Sequence, residues 1–316
     1  MPGFAYPLLN GFARGKSMLR TALVAASLLP AVGFAVDPLT VDLRNNVDYS
    51  TWNLFGTAQV TSSLGYSGPG GTVTATISNL NLTFQDIGGS AGAGFAPNRL
   101  LIDFNKDFTF AFHSYIYSSG PSLRGDGMTF VLTTANAEVG NGGSDLGYAG
   151  KPFNGYAFAI DTFHFDGQPV SPSLQILANG SVNPVASFET GLGDTIRNNS
   201  TWTTTVAYKA GPNNDETGIL TGTIARPDLG TFSVSTPVDW SGVGSPELDQ
   251  NTNAYLGRFI NYGFTAGNGV ATDGHLVSSV TPVPEPANYA MLLAGLALMG
   301  CAARRRATRA PNRQVC

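Results

Sequence analysis

Short alternations of apolar and polar residues recur along most of the chain. Segments such as TAQVTSSL, TVTATISNL, FTFAFHSYIY and YAFAIDTF place β-branched or aromatic residues at every second position, and turn residues bound each of them. This period of two predicts β-strands, and no stretch within residues 36–281 keeps a helical period for long. We therefore predict an all-β domain, a sandwich or barrel of roughly a dozen antiparallel strands. The glycine-rich pieces Ser67–Gly71 and Gly88–Gly94 are predicted to be loops between strands.

The start of the chain has a different pattern. Three basic residues precede the apolar run TALVAASLLPAVGFA, which ends in small residues at Ala35. The run is too short to span a membrane as a helix. This order predicts a secretory signal peptide over residues 1–35, with cleavage after Ala35 and with either Met1 or Met18 as the start.

The end of the chain carries a second apolar run. Residues 287–303 are uncharged, the segment Pro284-Glu285-Pro286 precedes them, and Arg304–Arg306 follow at once. Such a run is just long enough to form a transmembrane helix, and the arginines would hold its end in the cytoplasm. The three parts in this order resemble the PEP-CTERM sorting signal of Gram-negative bacteria, whose tails are recognised in the inner membrane and cut by an exosortase-type enzyme.

The resemblance implies that residues 282–316 form a sorting tail. The chain would contact the membrane only transiently through this tail, and the mature protein would be secreted or held at the cell surface or in the extracellular matrix. A plain C-terminal anchor is the alternative, which explains the helix and the arginines but not the Pro-Glu-Pro segment.

The region between the two apolar runs is acidic. It contains all 21 acidic residues but only nine of the 17 basic ones, which gives a net charge of −12. Nucleic acid is therefore an unsuitable partner, whereas metal cations suit such a surface. Both cysteines, Cys301 and Cys316, lie in the tail, so residues 36–281 have neither a disulfide framework nor a thiol nucleophile.

Three segments of the acidic region stand out together. Gly125-Asp126-Gly127 precedes MTFVL, GGSDLGYAG is followed by YAFAIDTFHFDG, and INYGFTAGNG is followed by DGH. Their order and spacing resemble the L-type (legume-like) lectins and their bacterial relatives, over nearly all of residues 36–281. The resemblance implies a concanavalin-like jelly-roll sandwich of two large antiparallel sheets. It also implies a sugar site at the loop tips above one sheet, where calcium orders the loops.

The carbohydrate site that the resemblance implies is centred on Asp126. Its carboxylate can accept two hydrogen bonds from vicinal sugar hydroxyls, and a charged acceptor makes the stronger bonds. Gly143 and Gly269 let backbone N–H groups approach the sugar closely. Asn268 and the aromatic Phe165 complete the set. Asp-Gly is also a common turn dipeptide, so the alternative is an ordinary turn at Asp126.

The metal motif departs from the family. Asp161, the carbonyl of Phe163 and Asp166 are the expected ligands of one calcium ion, which prefers oxygen ligands. Ala159 stands where the family has a glutamate, and the segment SLQI at residues 173–176 lacks the family's histidine, so no transition metal is expected. The alternative is that the two aspartates are ordinary loop acids.

These observations predict an exported carbohydrate-binding protein that is not an enzyme, with glycans or exopolysaccharide as partners. One alternative is a non-catalytic structural protein of the matrix or biofilm with a degenerate lectin fold. A glycoside hydrolase on the same fold is disfavoured, because a retaining glycosidase needs two carboxylates close together and the strand FAIDTF carries one.

Overall fold

A computed structural model describes residues 38–66, 73–118, 124–165, 167–197 and 201–282, which all fall within one compact unit. The predicted signal peptide, the tail helix and the arginine cluster lie outside these residues. So do Asp166 and the glycine-rich piece Ser67–Gly71. Across the described part of the chain, no helix is long and apolar enough to cross a membrane.

β-strands dominate the described residues, as the alternating pattern predicts, and no α-helix occurs among them. The strands in chain order are β1 (Leu39–Asp42), β2 (Asn53–Gly56), β3 (Gln59–Tyr66), β4 (Val73–Thr83), β5 (Ser90–Phe95), β6 (Leu100–Ile102), β7 (Phe108–Tyr117), β8 (Gly127–Thr133), β9 (Gly155–Asp161), β10 (Ser173–Ala178), β11 (Ser181–Glu189), β12 (Trp202–Ala210), β13 (Thr217–Arg226), β14 (Gly230–Asp239), β15 (Glu247–Leu248), β16 (Tyr255–Asn268) and β17 (Gly274–Pro282). Short 3-10 turns occur at Tyr49–Thr51, Gly143–Asp145 and Gly193–Ile196.

The strands form two sheets rather than a closed barrel. The first sheet has the order β14-β13-β12-β7-β17-β4-β3, and β1 pairs with β7. The second has the order β11-β10-β9-β8-β16-β5-β2, and β6 and β15 pair with β16. Strand pairs within both sheets are antiparallel except β1 with β7, which is parallel. The fold is therefore the predicted antiparallel sandwich with one parallel strand added.

Aromatic side chains from both sheets meet in the core. Phe110 and Phe112 on β7 of the first sheet contact Phe130 on β8 and Phe264 on β16 of the second. The Phe110 and Phe130 ring centroids are 5.1 Å apart, and those of Phe112 and Phe264 are 4.8 Å apart. Tilted and edge-on aromatic pairs at such distances stabilise a core beyond the area that they bury. These contacts show that the two sheets pack face to face.

The second sheet is also covered on its outer face. Val131 on β8 points away from the aromatic core and packs in a second cluster with Tyr148 and Phe153. Tyr148 and Phe153 belong to the long connection between β8 and β9, which folds back over the sheet. Both faces of β8 are therefore buried. The connection between β8 and β9 also places a glycine-rich turn at one end of β8.

The prediction of a loop over Gly88–Gly94 is wrong in its second half, because β5 begins at Ser90 and pairs with both β2 and β16. Small residues are required there because neighbouring atoms lie very close to the strand. A Cβ atom on Gly92 would lie 1.9 Å from the Leu82 carbonyl oxygen, and one on Gly94 would lie 2.7 Å from the Leu80 side chain. Glycine in a strand marks such close approaches.

Candidate functional site

Asp126 directly precedes β8, at the end of the second sheet. Its backbone N–H donates to the Gly267 carbonyl oxygen (3.1 Å), and its carbonyl oxygen accepts from the Thr162 N–H (2.7 Å). β16 on one side and the residue directly after β9 on the other therefore hold it in place. The peptide bond between Gly125 and Asp126 is cis. The segment after Asp126 is the buried strand that the sequence predicts, since every residue of β8 is buried.

The Asp126 carboxylate is buried and has an unused acceptor atom. The residue is 2% exposed, and its Oδ2 atom has no hydrogen-bond partner among the described residues. Burial raises the pKa of Asp126 to about 6; the backbone N–H of Gly269 lowers the pKa, and the charge of Asp273 raises it. A buried acceptor without a donor carries a desolvation cost. A hydroxyl donor from a ligand would offset this cost.

A pocket of about 370 Å³ opens above this carboxylate. Its lining residues are Asp126, Gly142, Gly143, Ser144, Asp145, Phe163, Phe165, Gly269, Val270 and Ala271. At the rim, Phe165 is 55% exposed and Val270 is 89% exposed. The pocket thus combines a carboxylate floor with an apolar rim, a combination that suits a ligand with both hydroxyl groups and an apolar face.

Two glycine turns make the pocket accessible. A Cβ atom on Gly269 would lie 3.1 Å from Asp126 Oδ2 and 3.3 Å from the Gly143 Cα atom. Gly143 itself has a φ of +67°, in the left-handed region that favours glycine. A larger residue at position 269 would therefore contact the carboxylate and narrow the space above it.

The structure brings four of the five predicted carbohydrate residues together, because Asp126, Gly143, Phe165 and Gly269 all line this pocket. Asn268 is different. Its side chain is fully buried, and its amide nitrogen lies within 3.2 Å of the carbonyl oxygens of Phe84, Ile87 and Asp273. Asn268 therefore holds the following loop in place from beneath the pocket, a role that its position in the sequence did not reveal.

Asp161, the first predicted calcium ligand, ends β9 and is 6% exposed. Its Oδ2 atom accepts from the Gln175 amide (2.8 Å), and its Oδ1 atom accepts from the Phe163 N–H (3.1 Å) and the Ser171 hydroxyl (3.3 Å). Burial raises the pKa of Asp161 to about 7, these hydrogen bonds lower it, and the charge of Asp126 raises it.

The described residues around Asp161 do not by themselves form a calcium site. Calcium takes six to eight oxygen ligands, whereas protein N–H and O–H donors satisfy both Asp161 carboxylate oxygens. No group of three carboxylate, imidazole or thiolate side chains suited to a metal occurs in the described ranges. Phe163 lines the pocket, and Asp166 lies outside the described residues, so the calcium site as a whole stays a prediction.

A buried charge cluster beside the pocket was not found from the sequence. Arg197 and Asp273 are 4% and 0% exposed, and Arg197 Nε donates to Asp273 Oδ2 at 2.8 Å. Burial raises the pKa of Asp273 to about 6, and the charge and hydrogen bond of Arg197 lower it. The two residues are 76 positions apart. No pattern in the sequence indicates them, because Arg197 stands among polar residues and its partner lies far along the chain.

The fold and the pocket define a protein with the architecture of the legume lectins. The structure is similar to basic winged bean lectin, solved with Tn-antigen, at 20% identity and a TM-score of 0.54 over 75% of this chain and 96% of that one. It is similar to the Lotus tetragonolobus seed lectin at 15% identity and a TM-score of 0.52 (77% and 98% covered). It is also similar to the metal-free form of lectin I-B4 from Griffonia simplicifolia, at 18% identity and a TM-score of 0.50 over 73% of this chain and 93% of that one. At these identities the likeness establishes the fold.

The tail gives the second part of the identification. A profile for the PEP-CTERM protein-sorting motif matches residues 282–307, as the sequence predicts. No curated protein sequence matches the chain significantly. The chain is therefore a legume-lectin-like sandwich that carries a PEP-CTERM motif, which marks it for export through the membrane of a Gram-negative bacterium.

Proposed function

We propose that this chain is an exported, non-catalytic carbohydrate-binding protein of the cell surface or extracellular matrix. One observation carries the proposal: Asp126 Oδ2 is a buried acceptor without a hydrogen-bond partner among the described residues, and Asp126 lines a pocket of about 370 Å³. Hydroxyl groups are the donors that such an acceptor lacks, and a carboxylate binds them more strongly than a neutral acceptor does. The lectin-like fold and the export motif support the proposal.

The rim of the pocket favours a sugar over another hydroxyl-bearing ligand. Phe165 projects into solvent next to Phe163, with ring centroids 5.1 Å apart and the rings nearly perpendicular. An exposed aromatic face can stack on the apolar face of a sugar ring, while Asp126 accepts from hydroxyls at its edge. The second lining carboxylate, Asp145, accepts from Asn141 (3.0 Å) and holds the glycine turn.

The test is binding to a printed glycan array by wild type, Asp126→Asn and Asp145→Asn. The loss of one charged hydrogen-bond acceptor costs on the order of 1.5–3 kcal/mol, so Asp126→Asn should weaken binding about tenfold or more. Asp145→Asn removes the same charge from the same pocket but keeps an amide oxygen that can accept from Asn141, so the glycine turn and Asp126 stay in place and the variant should bind nearly as wild type does.

Thermal unfolding provides the control for this experiment. At pH 7.5 ionised Asp126 costs free energy because burial raises its pKa, so Asp126→Asn should keep or raise the Tm. If binding weakens while the Tm is unchanged or higher, the substitution has acted on the pocket and not on the stability of the fold. Equal binding by wild type and Asp126→Asn would contradict the proposal and would favour a structural protein of the matrix.

Calcium assistance belongs to the same test. Asp161 is the one predicted ligand whose carboxylate the structure describes, and protein donors already satisfy it. We therefore propose that glycan binding at Asp126 does not require a metal ion. Arrays run with calcium chloride and with EDTA separate the two cases, since a calcium-dependent lectin loses its signal in chelator.

A further inference from the structure

Four segments of the chain line the pocket, and three of them are linked by polar contacts to one short turn or to the arginine that follows it. The turn is Gly193–Ile196, which Arg197 follows directly. Asp194 Oδ2 lies 2.9 Å from Arg124 Nη1, next to the Gly125-Asp126 segment. Arg197 reaches the other two segments: its Nη2 donates to the Thr162 carbonyl oxygen (3.0 Å), and its Nε donates to Asp273 (2.8 Å). The turn thus joins the Asp126 segment, the segment after β9 and the loop after β16.

Arg197 is the buried cation at this junction. Its side chain is 3% exposed, and its remaining nitrogen, Nη1, lies 3.2 Å from Asp194 Oδ1. Asp126, Asp161 and Asp273 are all buried nearby, and their charges act on one another: Asp273 raises the pKa of Asp126, which in turn raises the pKa of Asp161. A planar guanidinium donates in several fixed directions at once, so it can order several acceptor segments together.

The position of the guanidinium bears on the calcium prediction. Thr162 lies between Asp161 and Phe163, the two described residues of the predicted calcium site, and its carbonyl oxygen accepts from Arg197. The Thr162 hydroxyl lies 3.1 Å from both the Asp126 carbonyl oxygen and Asp273 Oδ2 and can donate to one of them at a time. At the Thr162 carbonyl oxygen the Arg197 guanidinium therefore already supplies a positive charge to the segment that the predicted calcium ion would order.

We propose that Arg197 orders the pocket loops of this chain and that the pocket forms without a metal ion. Arg197 is a positioning residue, because its contacts are to the Thr162 carbonyl, Asp194 and Asp273 rather than to the lining of the pocket. This inference deepens the proposed glycan binding and rests on it only for its effect on affinity. The ordering of the loops can be measured without any ligand.

The chain offers a matched control in Arg226. This arginine is 2% exposed, donates to Asp228 (2.8 Å) and to the Thr195 carbonyl oxygen (3.2 Å), and lies 4.7 Å from the Trp202 ring centroid. It therefore holds the same Gly193–Ile196 turn, and none of these contacts is to a pocket segment. Arg226→Met removes a buried guanidinium of the same kind from the other side of the turn.

The experiment is hydrogen exchange of the full chain, as wild type and as Arg197→Met, Arg197→Lys and Arg226→Met, in EDTA and in calcium chloride. Wild type should show the same protection at residues 124–126, 162–165 and 269–273 in both solutions. Arg197→Met should raise exchange there about tenfold while β12 and β13 stay protected. Arg197→Lys keeps the positive charge but loses the planar guanidinium with its several donors. Its exchange rate at these loops should therefore lie between those of wild type and Arg197→Met.

Two results would overturn the inference. In the first, EDTA raises exchange of the wild-type loops and calcium reverses the effect, which assigns the ordering to a metal. In the second, both Arg197 variants and Arg226→Met raise exchange equally throughout both sheets, which assigns Arg197 to general stability. Should Arg197→Met fail to fold, Arg197→Lys carries the same comparison against Arg226→Met.

A glycan arm separates this inference from the proposed function. On an array of neutral saccharides in EDTA, wild type and Arg226→Met should bind alike, and Arg197→Met should bind about tenfold more weakly. If wild type binds none of the saccharides with or without calcium, glycan binding fails as a function. The exchange result then still decides whether Arg197 orders the loops.

Discussion

His275 is a titratable residue that the fold keeps uncharged. It is fully buried, and its Nδ1 atom lies 2.7 Å from the Thr83 hydroxyl, while Nε2 has no partner among the described residues. Burial lowers the pKa of His275 to about 3, and the positive charge of Arg197 lowers it as well. The imidazole is therefore neutral at every pH at which the protein would normally work.

This lowered pKa predicts a loss of stability in acid. An unfolded chain protonates the histidine below about pH 6.5, but the folded domain does not, so the unfolded state binds more protons between pH 6.5 and 3. The contribution of His275 to the free energy of unfolding should fall as the pH falls, by about 2 kcal/mol between pH 7.5 and 5.

The measurement is urea unfolding of wild type and His275→Asn at pH 7.5 and 5. The buried aspartates have raised pKa values and act in the opposite direction, but they are common to both proteins and cancel in the difference. Wild type should lose stability relative to the variant on acidification. Identical pH dependence in the two proteins would show that His275 titrates normally.

Residues differ in how far their sequence context reveals them. Asp126 could be found because the Asp-Gly pair directly precedes a recognisable buried strand. Asn268 was found as a member of the motif, but its contacts with Phe84 and Ile87 depend on strands far away in sequence. Arg197 could not be found, because its function depends on Thr162 and Asp273, which only the folded chain brings to it.

At the scale of elements, the two sheets contact each other closely where a glycine faces an aromatic ring. Gly222 lies in β13 of the first sheet, and a Cβ atom there would lie 1.9 Å from the Phe158 ring on β9 of the second. Phe158 is 2% exposed and packs in the main core cluster, so its ring cannot move without displacing other core side chains.

We therefore expect Gly222→Ala to be destabilising. Overpacking of a core costs about 1–3 kcal/mol, so the variant should unfold at lower urea concentration. Gly242→Ala is the matched control, because nothing lies within 4 Å of the Cβ atom that it adds. If both variants unfold at the same urea concentration, the core around Phe158 is looser than the contacts indicate.

The elements were predictable where the period of two is strong. β7, β8 and β9 alternate or are continuously apolar, and they were found directly from the sequence. β5 was missed and predicted to be a loop, because a strand of small residues lacks the β-branched and aromatic side chains that signal a strand. Its register against β16 and β2 depends on tertiary packing around Gly92 and Gly94.

At the scale of the whole molecule, the sorting motif predicts that the mature protein is shorter than the gene product. The motif match covers residues 282–307, which include the Arg304–Arg306 cluster. We expect protein recovered from the medium or cell surface to begin near Val36 and to end near Pro284–Pro286. Intact-mass spectrometry measures both ends, and an unprocessed arginine cluster in that fraction would contradict removal of the tail.

The last strand links the pocket to the tail. β17 begins at Gly274, directly after Asp273 in the charge cluster, and its nine residues end at Pro282, where the sorting motif begins. Nine residues of extended strand span about 30 Å. If the predicted tail helix holds the chain at the bilayer before cleavage, we expect the pocket to lie at the far end of β17 from the attachment point. Under the proposed function, a large polysaccharide would then bind from the outside before the protein is released, without contacting the membrane.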